Sequence, residues 1–273
     1  MDKKIVIPTD FSDTAKGAVD YAVAFLGNDK SEVFLLNAYE PPHMGSGMLI
    51  SINDILEKES KSSLNGEIKR LIKENKLNGY KFDTISEHGD LVGSLKKWSK
   101  KIAFDYVILG TKGASGIQGA LFGSNASDVI NCAEIPVISI PHGYEYKGIK
   151  KILFTVDGKE YSGHKVVNEL KFLRDIFNAE VHLVHVNTPS NKPYKENEDH
   201  MVFTLQRELG VADDQTHEVY NETAIDGLNN FISQNPDFDL VCMVPRKESF
   251  IFKFSKTKAI SIGTKIPLWT LRD

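Results

Sequence analysis

Short apolar runs alternate with longer amphipathic ones along the first half of the chain. Lys4 to Ile7 is an apolar run of strand length, and Asp13 to Leu26 repeats its apolar residues at the spacing of one helix face. Ser12 is placed to cap this helix and Gly27 to end it. The same pattern then predicts strand Val33 to Ala38, helix Ile52 to Lys76, strand Lys81 to Glu87, helix Leu91 to Ile102, strand Tyr106 to Leu109, helix Ser124 to Asn131 and strand Val137 to Ile140. Apolar strands that alternate with helices predict the α/β class, with a parallel sheet covered by helices on both faces.

The pattern repeats in the second half of the chain. Lys151 to Asp157 matches Lys4 to Asp10, since both have a basic residue, an apolar run and an aspartate. Three further matches follow in the same order: Val181 to Val186 with Val33 to Ala38, Asp239 to Val244 with Asp105 to Gly110, and Ile266 to Leu271 with Ile135 to Ile140. The polar, turn-rich residues 141–148 lie between the two sets. This internal duplication predicts two α/β units, residues 1–147 and 148–273, each with five parallel strands.

Composition narrows the class of protein. The 273 residues are 41% hydrophobic and 26% charged, as in ordinary folded proteins, which argues against disorder and against a coiled coil. The net charge is −4, and neither half has a basic excess: residues 1–147 carry 17 basic and 19 acidic side chains, and residues 148–273 carry 16 and 18. A nucleic-acid-binding surface that depends on a broad basic field is therefore disfavoured, whereas a local basic patch stays open.

The number of cysteines and the lengths of the apolar runs indicate the cellular compartment. Cys132 and Cys242 are the two cysteines of the chain, too few for a disulfide framework and typical of a reducing compartment. The apolar run after Met1 to Lys4 is interrupted by Pro8 and is too short for a signal-peptide core. The other apolar runs are of strand length, far below the ~20 residues that a membrane helix needs. We therefore expect a cytoplasmic protein that does not enter a membrane.

A glycine-rich loop follows the predicted strand Tyr106 to Leu109. Five of the fourteen residues from Gly110 to Gly123 are glycines, and a short helix follows them. Glycines let the backbone turn sharply and present its N–H groups to a ligand, and a helix N-terminus adds the positive end of a dipole. The loop therefore indicates phosphate binding, although its spacing is neither GxxxxGK(S/T) nor the dinucleotide fingerprint that opens a first βαβ unit. A flexible loop without a ligand is the alternative.

The spacing of this loop resembles that of a known family. Gly110, Gly113, Gly123 and Ser124 follow the G-2x-G-9x-G-(S/T) pattern of the ATP-binding branch of the universal stress protein family. The run Pro8-Thr9-Asp10 also resembles the opening motif of that family. The first half resembles one universal stress protein domain, and the whole chain resembles a tandem member. The resemblance implies two Rossmann-like sheets of the adenine nucleotide alpha-hydrolase-like kind, packed as a pseudo-twofold tandem dimer.

The resemblance also implies roles for residues at the carboxyl ends of the predicted strands. Asp10 would contact the nucleoside, and the backbone of Ala38 would meet the adenine. For Asp10, local hydrogen bonds at the entry to the first helix are the simpler alternative. Gly110 and Gly113 would lie beside the ribose and phosphates, and Lys112 would add a positive charge. The start of the following helix, Gly123, Ser124 and Asn125, would cradle the phosphates. The site would be completed by Pro8, Thr9 and Leu109. Open α/β sheets bind ligands at this edge, which agrees with these assignments.

The second half departs from the motif. The segment Val244 to Ser255, aligned from Asp239 and Ile266, contains no glycine. Its bulky side chains would occupy the volume of the phosphates, so we expect Asp157 to be structural. The apolar residues Phe250, Ile251, Phe252 and Phe254 could line a different pocket, but packing in the core or against the first half is the favoured interpretation.

The leading hypothesis for function is a regulatory, non-catalytic stress-response protein that binds ATP, AMP or ADP, with or without Mg²⁺. Two alternatives stay open: a slow ATPase or nucleotidyl transferase that uses the same pocket, and a nucleotide-free scaffold that acts through protein partners. We expect no catalytic residue, because Ser115 and Ser124 have no His and Asp partners at recognisable positions. We also expect no metal centre, because His182 and His185 point to opposite faces of their strand and cannot bind one metal together. Strands Val137 to Ile140 and Leu268 to Leu271 are expected to pair the halves as an intramolecular pseudo-dimer, with a homodimer as a further assembly.

Overall fold

The computed structural model describes residues 3–27, 31–41, 49–76, 81–111, 124–156, 161, 164–189, 196–245 and 265–273. These residues divide into two compact units. The described residues up to 111, together with residues 125–146, belong to the first unit, and those from 147 onward belong to the second. Within the described part of the chain, no helix is both long enough and apolar enough to cross a membrane.

The first unit is a five-stranded parallel sheet with connecting helices. Its elements are β1 (Lys4–Pro8), α1 (Asp13–Leu26), β2 (Glu32–Tyr39), α2 (Leu49–Lys73), β3 (Lys81–His88), α3 (Leu91–Ser99), β4 (Tyr106–Gly110), α4 (Ser124–Cys132) and β5 (Val137–Ile140). The strands lie in the order β3-β2-β1-β4-β5. The chain therefore adds β2 and β3 on one side of β1 and then crosses to add β4 and β5 on the other side. This reversal between β1 and β4 creates a switch point of the kind at which open α/β sheets bind ligands.

The second unit repeats this topology. Its elements are β6 (Lys151–Val156), α5 (Lys165–Phe177), β7 (Glu180–Asn187), α6 (Glu196–Leu209), a 3₁₀ turn (Asp213–Gln215), β8 (Thr216–Tyr220), α7 (Ala224–Gln234), β9 (Leu240–Met243) and β10 (Leu268–Thr270). The strands lie in the order β8-β7-β6-β9-β10 and are parallel. The switch point of this unit is therefore between β6 and β9, and the predicted α/β class with five parallel strands per unit is confirmed.

Burial of the first strand shows that both faces of the first sheet are covered. Ile5, Val6 and Ile7 are successive residues of β1 whose side chains point to alternate faces, and each is at most 1% exposed. The helix α1 covers one face with the apolar stripe that its sequence predicts. The buried residues of that stripe include Ala15, Ala18, Val19, Ala22 and Leu26.

Equivalent hydrogen bonds show how closely the two units match. The Oδ2 atom of Asp105 accepts from the backbone N–H of Lys4 at 2.8 Å, and Oδ2 of Asp239 accepts from that of Lys151 at 3.0 Å. In each unit the aspartate precedes the fourth strand and holds the start of the first strand beside it. The carboxylates at these matched positions therefore set the register between the two central strands of each sheet.

Two helices end where local backbone geometry stops them rather than where the apolar pattern fades. The predicted end of α2 was Lys76, but Asn75 adopts a left-handed conformation with φ of 55°. The N–H of Lys76 then donates to the carbonyl of Leu71, and that of Asn75 donates to Ile72, which is a Schellman termination. The predicted end of α3 at Ile102 is likewise three residues too late, because the chain tightens into a turn after Ser99.

Candidate functional site

The carboxyl ends of the first-unit strands hold the described residues that the sequence assigned to a site. Since parallel strands end at one edge and β1 lies beside both β2 and β4, their terminal residues are neighbours. Lys112, Gly113 and Gly123 lie outside the described residues. Of the others, Pro8 ends β1, Thr9 and Asp10 follow it, Ala38 is in β2, Leu109 and Gly110 end β4, and Ser124 and Asn125 begin α4.

Thr9 anchors the exit from β1. Its N–H donates to the carbonyl of Leu36 at 2.8 Å, and its carbonyl accepts from Nδ2 of Asn37 at 2.7 Å. Its own Oγ1 accepts from the N–H of Phe11 at 3.0 Å. Because the backbone and hydroxyl of this buried threonine are held in this way, the direction in which the chain leaves β1 is fixed.

Asp10 is exposed and shapes the entry to α1. Its Oδ1 atom accepts from the N–H of Ser12 at 3.1 Å and from the hydroxyl of Ser12 at 2.5 Å. The Oγ of Ser12 in turn accepts from the N–H of Ala15, so Ser12 caps the helix as its sequence predicts. The local hydrogen bonds weighed as the simpler alternative for Asp10 are thus present, and they leave its carboxylate at the solvent-facing edge of the sheet.

Gly110 permits a close approach between α1 and the end of β4. A Cβ atom on Gly110 would lie 2.5 Å from the carbonyl oxygen of Thr14 and 2.8 Å from its Cγ2. The next residue, Thr111, donates its N–H to the carbonyl of Ile140 at 2.8 Å, and the Thr14 hydroxyl contacts Nδ1 of His142 at 2.9 Å. The glycine is therefore required by the packing of the protein itself at the start of the loop.

Ala38 and Leu109 differ in what they offer at this edge. The Leu109 side chain is 4% exposed and belongs to the core, so only its backbone reaches the edge. Ala38 is half-buried and lies opposite Glu87 of β3. Burial alone would raise the pKa of Glu87, but hydrogen bonds from Lys97 Nζ at 2.6 Å and Trp98 Nε1 at 2.8 Å outweigh it, so that its pKa is lowered. These bonds tie α3 to β3 beside Ala38.

Asn37 is a contributor to the edge that the sequence analysis missed. It is buried within the apolar strand β2, and its bond to the Thr9 carbonyl has a counterpart in the second unit. There, Nδ1 of buried His185 lies 2.9 Å from the carbonyl of Val156. Because a carbonyl only accepts, this nitrogen carries the proton. The polar residues at matched positions of β2 and β7 were the signal that could have identified it.

The histidines of β7 contact different partners. His185 bonds to Val156, whereas Nδ1 of His182 lies 3.0 Å from Nε2 of His217, with the two rings stacked. Burial, together with the neighbouring His182, lowers the pKa of His217. Among the residues that the structure describes, no group of three or more His, Cys, Asp or Glu side chains is arranged to hold a metal ion.

The second unit is built differently at the position that matches Gly110. Val244 stands there and is 4% exposed. The helix α5 begins eight residues after Asp157, whereas α1 begins three residues after Asp10. Asp157 and the Phe250 to Phe254 cluster lie outside the described residues.

Comparison with known proteins identifies the family. Residues 1–141, just over half of the chain, match the model of the universal stress protein family. The chain belongs to this family. A universal stress protein of Methanocaldococcus jannaschii is 31% identical over 144 residues, which are 50% of this chain and 81% of that protein. A second universal stress protein of the same organism is 28% identical over 155 residues, 51% of this chain and 95% of the relative.

Solved structures of the family share the fold of this universal stress protein. One from Archaeoglobus fulgidus has a TM-score of 0.74 at 17% identity and covers 100% of this chain and 99% of its own. A putative universal stress protein of Pseudomonas aeruginosa has a TM-score of 0.65 at 16% identity, over 99% of this chain and 93% of its own. The match over residues 1–141 confirms the family expected from the loop spacing, and these structures confirm its fold.

Replacement of Gly110 by alanine should destabilise the first unit. Its Cβ would collide with the Thr14 carbonyl, and we expect the free energy of unfolding to fall by about 2 kcal/mol, as in other overpacked sites. Gly17→Ala is the matched control, because its Cβ meets no atom within 4 Å and alanine favours the helix by about 1 kcal/mol. Denaturant unfolding of both variants measures the difference. Equal stability of the two would contradict the close approach.

Asn37→Leu should loosen the exit from β1, because the buried carbonyl of Thr9 loses its side-chain donor. We expect a loss of about 1 to 3 kcal/mol in unfolding free energy and faster hydrogen exchange at the amides of Thr9 and Phe11. Asn37→His introduces the donor that His185 supplies in the second unit and should retain most of the protection. Similar exchange rates in the Leu and His variants would count against this role.

Proposed function

We propose that this universal stress protein binds one adenine nucleotide per chain, at the carboxyl edge of the first sheet, and that the nucleotide regulates the protein. The observation that carries the proposal is the glycine spacing between Gly110, which ends β4, and Ser124, which begins α4. That loop starts beside the switch point between β1 and β4, where ligands bind in open α/β sheets.

The phosphate end of the proposed site uses backbone groups. The first N–H groups of α4 have no partners within the helix and form the positive end of its dipole, which suits an anion. Gly113 and Gly123 would let the loop backbone approach the phosphates, and Lys112 would add a cation. This donor set fits a nucleotide phosphate chain.

The nucleoside end of the proposed site is formed by β1 and β2. Asp10 presents an exposed carboxylate directly after β1, and a carboxylate accepts hydrogen bonds from ribose hydroxyls. Ala38, near the end of β2, offers backbone donors and acceptors to the adenine with little side chain in the way. Thr9 and Asn37 support this end by fixing the chain between the two strands.

A regulatory role is favoured over hydrolysis by what the motif contains. Phosphoryl transfer requires a positioned nucleophile and strong stabilisation of charge at the terminal phosphate. The loop motif supplies glycines, hydroxyls and the single cation of Lys112, which suffice for binding. The second unit has Val244 in place of Gly110, so we assign the nucleotide to the first unit alone. Pairing of the units through Val137 to Ile140 and Leu268 to Leu271 stays a prediction.

The first experiment counts nucleotides. Mass spectrometry of small molecules released from the purified full-length chain should detect an adenine nucleotide, and calorimetric titration with ATP should give one site. Gly123→Val should abolish binding, because the valine side chain would stand where the phosphates approach. Gly66→Val is the control, since it makes the same change on α2 in open space. Two equivalent sites, unchanged affinity in a folded Gly123→Val variant, or steady phosphate release would each overturn part of the assignment.

The second experiment separates the two roles of Asp10. Asp10→Ala should weaken the binding of ATP and of adenosine by the same amount, about 1 to 3 kcal/mol, because one polar contact to the nucleoside is lost. Ser12→Ala is the control: it removes the cap and the partner of Asp10 but leaves the carboxylate in place. If Ser12→Ala weakens binding as much as Asp10→Ala, the aspartate acts only through the helix entry.

A further inference from the structure

A cleft of about 480 Å³ lies at the opposite edge of the first sheet from the proposed nucleotide site. It opens between α3 and the C-terminal part of α4, above the start of β4. This volume is in the range of small-molecule pockets, roughly 300 to 1,000 Å³. Its walls are predominantly apolar and include Val92, Leu95, Phe104, Val107, Val129 and Ile135.

Two cations at the rim of this α3/α4 cleft are not used in ion pairs within the described part of the chain. Four lysines cluster at the end of α3. Lys97 pairs with Glu87 at 2.6 Å, and Lys101 lies over the ring of Trp98 at 4.3 Å. Lys96 and Lys100, four residues apart and therefore on one face, line the cleft instead. Neither makes an ion pair with another residue that the structure describes.

One carboxylate also lines the cleft. Glu134 follows α4 and is exposed. The rim therefore carries two ammonium groups and one carboxylate, and it is net positive although the whole chain is net negative at −4. An occupant of matching chemistry has an apolar body and a single negative head, because the methylene groups leave water while the head pairs with Lys96 or Lys100.

We infer that the α3/α4 cleft binds an amphipathic carboxylate, a medium-length acyl chain whose carboxylate meets Lys96 and Lys100. Phe104 and Val107 are buried at its floor, and the acyl chain lies against them. Each methylene that enters the cleft strengthens binding by about fourfold, so affinity rises with chain length until the cleft is full. The flexible lysine stems lie along the apolar wall while their heads reach the carboxylate.

The two cysteines provide a direct readout of occupancy. Cys132 is exposed and lines the cleft, whereas Cys242 is completely buried in β9. Burial also raises the pKa of the Cys242 thiol, which keeps it in its unreactive protonated form. An aromatic disulfide reagent such as DTNB will therefore modify Cys132 in the folded chain, and an acyl chain in the cleft will shield that thiol.

The experiment measures the rate at which DTNB modifies Cys132 in the full-length chain. Decanoate, below its micelle concentration, should slow modification in a saturable way, and octanoate should do so at higher concentration. Half-maximal protection of the double variant Lys96→Glu and Lys100→Glu should require at least about tenfold more decanoate, because the attraction between the rim and the carboxylate becomes repulsion. Lys69→Glu, an exposed position on α2, is the control and should behave as the unchanged chain.

Three results would overturn the inference. Equal protection of the double variant would show that the lysines do not recognise the carboxylate. Equal protection by decanol would show an apolar surface with no preference for an acid. Protection that depends on protein concentration, with dimers in sedimentation and no effect of decanoate, would show that a second copy of the chain covers the cleft.

Discussion

The carboxyl edge of the first sheet depends on how closely α1 approaches the end of β4. The main chain of Thr14 occupies the space in which any side chain on Gly110 would stand. This contact places the first turn of α1 against the strand, and from there the Thr14 hydroxyl reaches His142 beyond β5. Contacts within the protein thereby hold together the first turn of α1, the end of β4 and the residues after β5. Glycine at this position is a requirement of packing as well as a feature of the loop motif.

Comparison of the two units separates what the fold needs from what the site needs. Asp105 and Asp239 accept from equivalent N–H groups, and Asn37 and His185 bond to equivalent carbonyls. These bonds tie the strand next to the switch point to its neighbours and are present in both units. The difference between Gly110 and Val244 lies outside this framework, at the edge itself. A duplicated sheet can therefore lose its glycine loop without losing its topology.

The sequence predicted the strands and their order along the chain well, because parallel strands buried on both faces leave uninterrupted apolar runs of strand length. In the first unit, element boundaries fell within three residues of the predicted ones. The ends of α2 and α3 were less predictable, because a left-handed Asn75 and a tight turn after Ser99 decide them. The edge residues could be placed from the motif, whereas Asn37 was identified only once its bond to Thr9 was seen, although the polar residue at the matched position of β7 marks it in the sequence. The α3/α4 cleft was beyond prediction, since its volume depends on the gap between two helices.

The chemistry of the candidate edge resides mostly in its backbone. Leu109 points into the core, and the hydroxyl of Thr9 is already engaged by Phe11. Of the assigned side chains that the structure describes, Asp10 and Asn125 are the exposed ones. The strands and the start of α4 thus present main-chain donors and acceptors, whose positions are set by strand register and helix entry rather than by rotamers. Changes that add a Cβ or shift a strand end therefore act on this edge more strongly than changes of side-chain chemistry.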